Sequence, residues 1–174
     1  MIRTFPTRRV LVAGAAVALA LTLGGCSSIA NLLNGDSATR DEDTNEVTEG
    51  GTVDVFEVSV GDCIGSPAEG EVVDVEVVPC DEPHDGEVYY EFALDDGEWP
   101  GDTAVSTAAE EGCTASDAFE AYIGTPYDSS EVWVQFFLPT EDTWTDSTLN
   151  DRLISCIAYV PDEQQTGSLK DSGL

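Results

Sequence analysis

Apolar and polar residues alternate along several short stretches of the chain, and this two-residue period predicts β-strands with one buried face. In the first stretch the alternation slips by one position at Val55 and Phe56, which predicts a bulge or a bend there. The final stretch is apolar almost throughout, as in a strand buried on both faces. Five strands are therefore predicted, over residues 53–60, 73–77, 88–94, 132–138 and 153–160.

A helical period replaces the alternation over residues 103–123. Val105, Cys113, Phe119 and Ile123 fall on one stripe of a helix, with Asp102 or Thr103 available as its N-cap and a possible break near Gly112. The resulting order, three strands, a helical region and two strands, lacks the regular alternation of a parallel α/β fold. It predicts an α+β fold in which a mostly antiparallel sheet of about five strands carries one helical region on a face.

The first 25 residues differ from the rest of the chain. Arg3, Arg8 and Arg9 precede an apolar run over residues 10–23, and Gly24-Gly25-Cys26 follows it. A run of this length is too short to span a bilayer as a helix, which takes about 20 residues. Residues 1–25 are predicted to be a signal peptide.

Residues 23–26, Leu-Gly-Gly-Cys, resemble the bacterial lipobox, in which the cysteine receives a diacylglycerol and becomes the mature N-terminus. The resemblance implies that Cys26 is lipidated and holds the protein on the extracytoplasmic face of the cell membrane. The alternative is an ordinary secretory cleavage that leaves Cys26 as an odd thiol. The paired arginines leave both the general secretory and the twin-arginine export routes open.

Residues 26–52 are rich in Ser, Asn, Thr, Gly and acidic residues, and they are predicted to be a flexible acidic tether. Residues 53–170 then form the extracytoplasmic domain.

Charge restricts the partners of this domain. The chain has 6 basic and 35 acidic residues, a net charge of −29. Removal of the signal peptide would leave 3 basic residues against 35 acidic ones, or −32. A surface this acidic excludes nucleic acid as a partner of the domain. No cofactor is predicted.

Four cysteines remain beyond Cys26, an even number in an exported domain, and they predict two disulfides. Among the three possible pairings we favour Cys63–Cys80, between the ends of neighbouring strands, and Cys113–Cys156, between the helix and the last strand. A metal site is disfavoured because the chain has no Cys-x-x-Cys spacing and contains only one histidine.

Several short motifs occur together within residues 53–170: Val-Gly-Asp-Cys at 60–63, Pro-Cys-Asp-Glu-Pro-His at 79–84 with Glu87-Val88, Cys113, Pro139-Thr140, Trp144, Asp151-Arg152, Cys156 and Thr-Gly-Ser-Leu at 166–169. In combination they resemble the septum formation domain of actinobacterial surface lipoproteins. Asn150 stands where the family usually has glycine, and asparagine also adopts a left-handed turn. The resemblance implies an association with division or the envelope, but no reaction and no ligand.

Candidate binding or turn-fixing residues follow from these motifs: Asp81, Glu82, His84, Glu87 and Arg152. His84 has the chemistry of a metal ligand or a proton-transfer group, but we favour a structural role in the turn after Cys80. Arg152 is expected to form an internal ion pair with Asp151 or with the turn at Asp62.

No nucleophile motif or metallohydrolase motif occurs in the sequence, and no catalytic residue is predicted. The sequence favours a noncatalytic, lipid-anchored binding module with an envelope or division protein as partner. One alternative is an envelope hydrolase that uses a carboxylate pair such as Glu82 and Glu87. A calcium-responsive surface domain is the other, although no calcium-loop motif is present.

Overall fold

A computed structural model describes residues 37–66, 72–114 and 117–174. The predicted signal peptide, the predicted lipidation site Cys26 and residues 26–36 of the predicted tether lie outside the described residues. No helix in the described ranges is long and apolar enough to cross a membrane.

The described residues form two antiparallel sheets and three helices. The strands are β1 (Thr39–Arg40), β2 (Val47–Glu49), β3 (Gly51–Asp54), β4 (Cys63–Ile64), β5 (Asp74–Val78), β6 (Gly86–Ala93), β7 (Trp133–Phe137) and β8 (Leu153–Tyr159). The helices are α1 (Asp102–Thr114), α2 (Asp117–Ile123) and α3 (Glu141–Thr145). β1 pairs with β2, and the other six strands form a curled sheet in the order β3-β5-β4-β6-β8-β7. The predicted α+β class is confirmed, with one more strand in the main sheet and a second small sheet.

The α1 and α2 helices cover one face of the main sheet. Their buried stripe consists of Val105, Ala109, Cys113, Phe119 and Ile123, which matches the predicted helical period. α1 continues through Gly112 instead of breaking there. A Cβ at Gly112 would lie 2.2 Å from Cζ of Phe92, so glycine lets the helix approach β6 this closely.

The opposite face of the main sheet holds a second apolar cluster. Its buried members are Val53, Val58, Ile64, Val75, Val77, Val88 and Ile157. Ile157 of β8 faces this cluster, whereas its neighbours Cys156 and Ala158 face the helices. This alternation explains why β8 is apolar almost throughout.

The N-terminal part of the fold differs from the prediction in two ways. The strand predicted over residues 53–60 ends at Asp54 and is followed by a 3₁₀ turn, Val55–Glu57, at the position of the phase slip. Residues 39–49, which were assigned to the tether, form the β1–β2 hairpin. The hairpin is held by Arg40, whose guanidinium donates to both carboxylate oxygens of the buried Asp62, at 2.5 and 2.7 Å. This bidentate pair joins residues 22 positions apart, which a local sequence pattern does not predict.

Both predicted disulfides are confirmed. Cys63 of β4 is bonded to Cys80, just after β5, with 5.2 Å between their Cα atoms. Cys113 of α1 is bonded to Cys156 of β8, with 5.6 Å between their Cα atoms. The second bridge fastens the helical layer to the sheet.

Candidate functional site

A cleft of about 580 Å³ lies beside β7 and β8. Phe137, Leu153 and Ser155 contribute to it from the sheet face opposite α1 and α2, because they alternate with the helix-facing Phe136 and Cys156. We call this the apolar cleft. It is lined by Val55, Phe56, Val72, Val73, Asp102, Thr143, Leu149, Asp151, Leu153, Ser155 and residues 136–140. Its size is typical of a ligand pocket.

Four large apolar side chains converge on this cleft while remaining open to solvent. The exposed fractions are 44% for Phe56, 59% for Val73, 48% for Leu149 and 36% for Leu153. They come from three separate parts of the chain. The other large exposed apolar residues among those described, Val60, Trp133 and Leu174, lie outside the cleft. A concentration of exposed apolar side chains in one concave site indicates a binding surface.

Glu91 is not one of the residues that line the cleft, but it is hydrogen-bonded to Ser155, which is. It lies on β6 directly opposite Ser155 of β8, and its Oε1 accepts a hydrogen bond of 3.0 Å from Ser155 Oγ. Burial raises the pKa of Glu91, and the nearby charge of Asp62 raises it further, while the Ser155 hydrogen bond opposes both effects. Neither ion pair formed by the described residues involves Glu91. A partly buried carboxyl without a cation marks a candidate functional group.

The raised pKa of Glu91 predicts a pH-dependent stability difference. The folded state disfavours the charged carboxylate, so Glu91 contributes stability at low pH that is lost as the pH rises from 4.5 through the higher folded pKa. Glu91→Gln keeps the acceptor for Ser155 and removes this charge. We expect the variant to have the higher thermal midpoint at pH 7 and an equal midpoint at pH 4, measured by calorimetry. A midpoint difference that does not change with pH would contradict the assigned burial effect, and the exposed Glu98→Gln serves as the control.

Two carboxylates, those of Asp102 and Asp151, line the apolar cleft. The described chain has three basic residues, of which Arg40 and Arg152 are held in contacts elsewhere. The rim of the cleft is therefore acidic, although its lining is mainly apolar.

None of the five sequence-predicted site residues lines the apolar cleft. Asp81 and Glu82 are exposed in the turn after β5, and the amide of Glu82 donates to Pro79 O. His84 is buried and forms a two-way backbone bridge with Gln165. The Pro-Cys-Asp-Glu-Pro-His motif thus holds a late segment of the chain against the sheet.

Glu87 is the centre of this attachment. Its carboxylate is 1% exposed and accepts hydrogen bonds from Tyr122 Oη at 2.7 Å, Ser168 Oγ at 2.6 Å and the Leu169 amide at 2.5 Å. Burial and this hydrogen bond to Glu87 raise the pKa of Tyr122, so the phenol stays a donor. We call these four residues the Glu87 cluster. They join β6, α2 and residues 168–169.

The side chain of His84 is hydrogen-bonded within the turn that follows Cys80. Its Nδ1 lies 2.9 Å from Glu82 O, and a ring nitrogen next to a carbonyl must donate. Nε2 is buried without a hydrogen-bond partner among the described residues.

The prediction that Arg152 forms an ion pair with Asp151 or with the turn at Asp62 is wrong. Asp62 pairs with Arg40, and the guanidinium of Arg152 instead donates to the backbone oxygens of Trp144 and Asp151, at 3.0 and 2.7 Å. The guanidinium also stacks 3.6 Å above the Trp144 ring. Its Nε lies 3.5 Å from the exposed Asp96 carboxylate. Asn150, with φ of 44°, makes the left-handed turn predicted before Asp151 and accepts from Arg152 through its side chain.

One group of potential metal ligands occurs among the described residues: Cys63, Cys80 and Glu87. Both sulfurs are committed to the disulfide, so they are not thiolates. The Glu87 oxygens are already occupied by three donors. These atoms form a structural cluster.

Sequence reasoning missed the residues of the apolar cleft. Phe56, Val73, Leu149 and Leu153 are each unremarkable in sequence, because single exposed apolar residues are common. Only the curl of the sheet brings these residues together.

A family model described as Septum formation matches residues 60–173. No curated protein and no solved structure matches the chain significantly. The matched range includes β4 to β8, all three helices, both disulfides and most of the apolar cleft.

Proposed function

Because the chain belongs to the septum formation family, we propose that it is a lipid-anchored, extracytoplasmic binding module that acts at the division septum or in the cell envelope. The family supports a role in division or the envelope. The apolar cleft supplies the binding site in this proposal.

The observation that carries the proposal is the convergence of Phe56, Val73, Leu149 and Leu153 on one cleft. A chain with a net charge of −32 after signal removal has many polar residues with which to cover its surface. Exposing four large apolar side chains at one concave site costs solvation free energy, which a bound partner recovers by covering them.

The polar groups near the cleft support binding over catalysis. Thr140 and Thr143 cap the N-terminus of α3 through each other's side chains and backbone amides. Ser155 donates its hydroxyl hydrogen to Glu91 on the neighbouring strand, so both groups are engaged in a hydrogen bond within the sheet. The pair Glu82 and Glu87, considered for acid/base chemistry, includes a carboxylate that is buried and already bonded to three donors.

Anchoring belongs to the same proposal. The lipobox resemblance at residues 23–26 assigns the diacylglycerol to Cys26 and places residues 37–174 on the extracytoplasmic side of the membrane.

Fluorescent fusions expressed in a deletion strain test this function. We expect the wild-type fusion to concentrate at new septa and Cys26→Ala to lose membrane retention. The double variant Phe56→Ser and Leu149→Ser should stay on the membrane but lose septal enrichment. Val60→Ser, an exposed apolar site outside the cleft, is the matched control and should behave as wild type.

The proposal fails if the wild-type protein is distributed evenly over dividing cells. The assignment of the binding site to the apolar cleft is wrong if the double variant localises and restores division as well as the control does. Circular dichroism and thermal midpoints of the purified variants show whether the fold is intact in each case.

A further inference from the structure

The chemistry of the apolar cleft restricts its occupant. Its apolar side chains, Phe56, Val73, Leu149 and Leu153, need apolar groups to cover them. The carboxylates of Asp102 and Asp151 at the rim favour positive charge next to those groups and repel negative charge.

Glu91, which is hydrogen-bonded to the lining residue Ser155, adds a further carboxyl group next to the cleft. It is partly buried, its described partner is the neutral Ser155 hydroxyl, and the cations of Arg40 and Arg152 are paired with Asp62 and Asp96. A cation brought by a ligand would compensate the buried carboxylate. The cleft therefore combines an apolar lining with carboxylates that lack a cation from the described chain.

We infer that the apolar cleft binds a protein segment that carries apolar side chains flanked by lysine or arginine. This inference rests on the proposed function and names the partner of its site. An anionic lipid headgroup is a poor occupant because it would face Asp102 and Asp151, and a neutral apolar molecule would leave these two carboxylates without a cation. Arginine suits the site particularly well, since its planar guanidinium binds carboxylates in a bidentate geometry.

Three fluorescein-labelled nine-residue peptides provide the probe. The first alternates leucine and arginine, the second has glutamate in place of arginine, and the third has serine in place of leucine. Fluorescence anisotropy is measured at 150 mM salt with the full lipidated chain in phosphatidylcholine nanodiscs, and binding to empty nanodiscs is subtracted. We expect the leucine-arginine peptide to bind at least about tenfold more tightly than either of the others.

Matched variants separate the cleft from the general acidity of the surface. Phe56→Ser should weaken binding of the leucine-arginine peptide about tenfold, whereas Val60→Ser should leave it unchanged. Asp102→Asn should weaken binding about threefold and flatten its salt dependence. Glu110→Gln removes an exposed charge from the same helix, away from the cleft, and should have no effect.

Equal binding of the leucine-glutamate peptide would overturn the predicted charge selection. Equal effects of Asp102→Asn and Glu110→Gln would reduce the interaction to nonspecific attraction by an acidic surface, which also overturns the inference. These outcomes are separable from failure of the proposed function. Septal enrichment that depends on Phe56 and Leu149 would still support a binding module, with a partner of different chemistry.

Discussion

Replacing both Cys113 and Cys156 by alanine is expected to lower the free energy of unfolding by about 4 kcal/mol. The bridge closes a loop of 43 residues, and closing a loop of that length removes about this much conformational entropy from the unfolded chain. Both residues are fully buried between α1 and β8, so the substitutions also remove packing in the centre of the first apolar cluster. A loss of this size is comparable with the whole stability of a domain of this length. Urea denaturation followed by circular dichroism measures it.

The other bridge is the internal comparison for this prediction. The double substitution of Cys63 and Cys80 opens a loop of only 17 residues and should cost about 3 kcal/mol. If the Cys63–Cys80 variant were the less stable of the two, loop length would not control the contribution of these bridges. Preserved stability in the Cys113–Cys156 variant would show that helix packing alone fastens the helical layer to the sheet.

Substitution of Glu87 by alanine is expected to cost about 3 to 5 kcal/mol, the second large effect. The substitution leaves Tyr122 Oη, Ser168 Oγ and the Leu169 amide without their acceptor, and the carboxylate they share is almost fully buried. Each buried donor without a partner costs about 1 to 3 kcal/mol, less where water reaches it. Denaturant unfolding gives the global loss. Hydrogen exchange at the Leu169 amide should rise with it, because this amide loses its acceptor.

Two further variants separate the acceptor role from other effects of Glu87. Glu87→Gln keeps an acceptor oxygen but turns an amide NH₂ toward a cluster of donors, so its expected cost is intermediate, at about 1 to 2 kcal/mol. Glu82→Ala changes an exposed member of the same sequence motif and should remain within about 0.5 kcal/mol of wild type. A Glu87→Ala variant as stable as Glu82→Ala would contradict the structural role of the cluster.

Local patterns predicted the regular part of the fold well. The alternation at Val75 and Val77 identified β5, the alternation from Val88 to Phe92 identified β6, and the helical stripe identified the layer that covers them. These signals are visible because one face of each element is buried over several residues. The cysteine pairing was also predictable, since each bridge joins elements that the predicted order places side by side.

Features that depend on distant contacts were not predictable. The β1–β2 hairpin has few apolar residues, and its attachment depends on Arg40 reaching Asp62 across 22 positions. β4 is two residues long, too short to show an alternation. Phe56, Val73 and Leu149 belong to three separate segments, and only tertiary folding assembles them into a cleft.

The motif residues illustrate the difference between a signature and a site. Glu87 and His84 were candidates for binding because they are polar, clustered and part of a recognisable motif. Their side chains are fully buried and hold the late segment 165–169 in place. The apolar cleft, by contrast, is built largely from residues outside those motifs, apart from Pro139, Thr140 and Asp151.

Site-specific photocrosslinking in growing cells tests the central claim, that the apolar cleft is the binding site, most directly. A photoreactive phenylalanine derivative is placed at Phe56 or Leu149 in the cleft, and at Val60 or Trp133 as exposed apolar controls. The account predicts a discrete protein adduct from both cleft positions and none from either control position. The adduct from the Phe56 derivative should disappear when Asp102→Asn and Leu153→Ser are also introduced. Equal adduct yields from cleft and control positions, or none from the cleft in dividing cells, would contradict it.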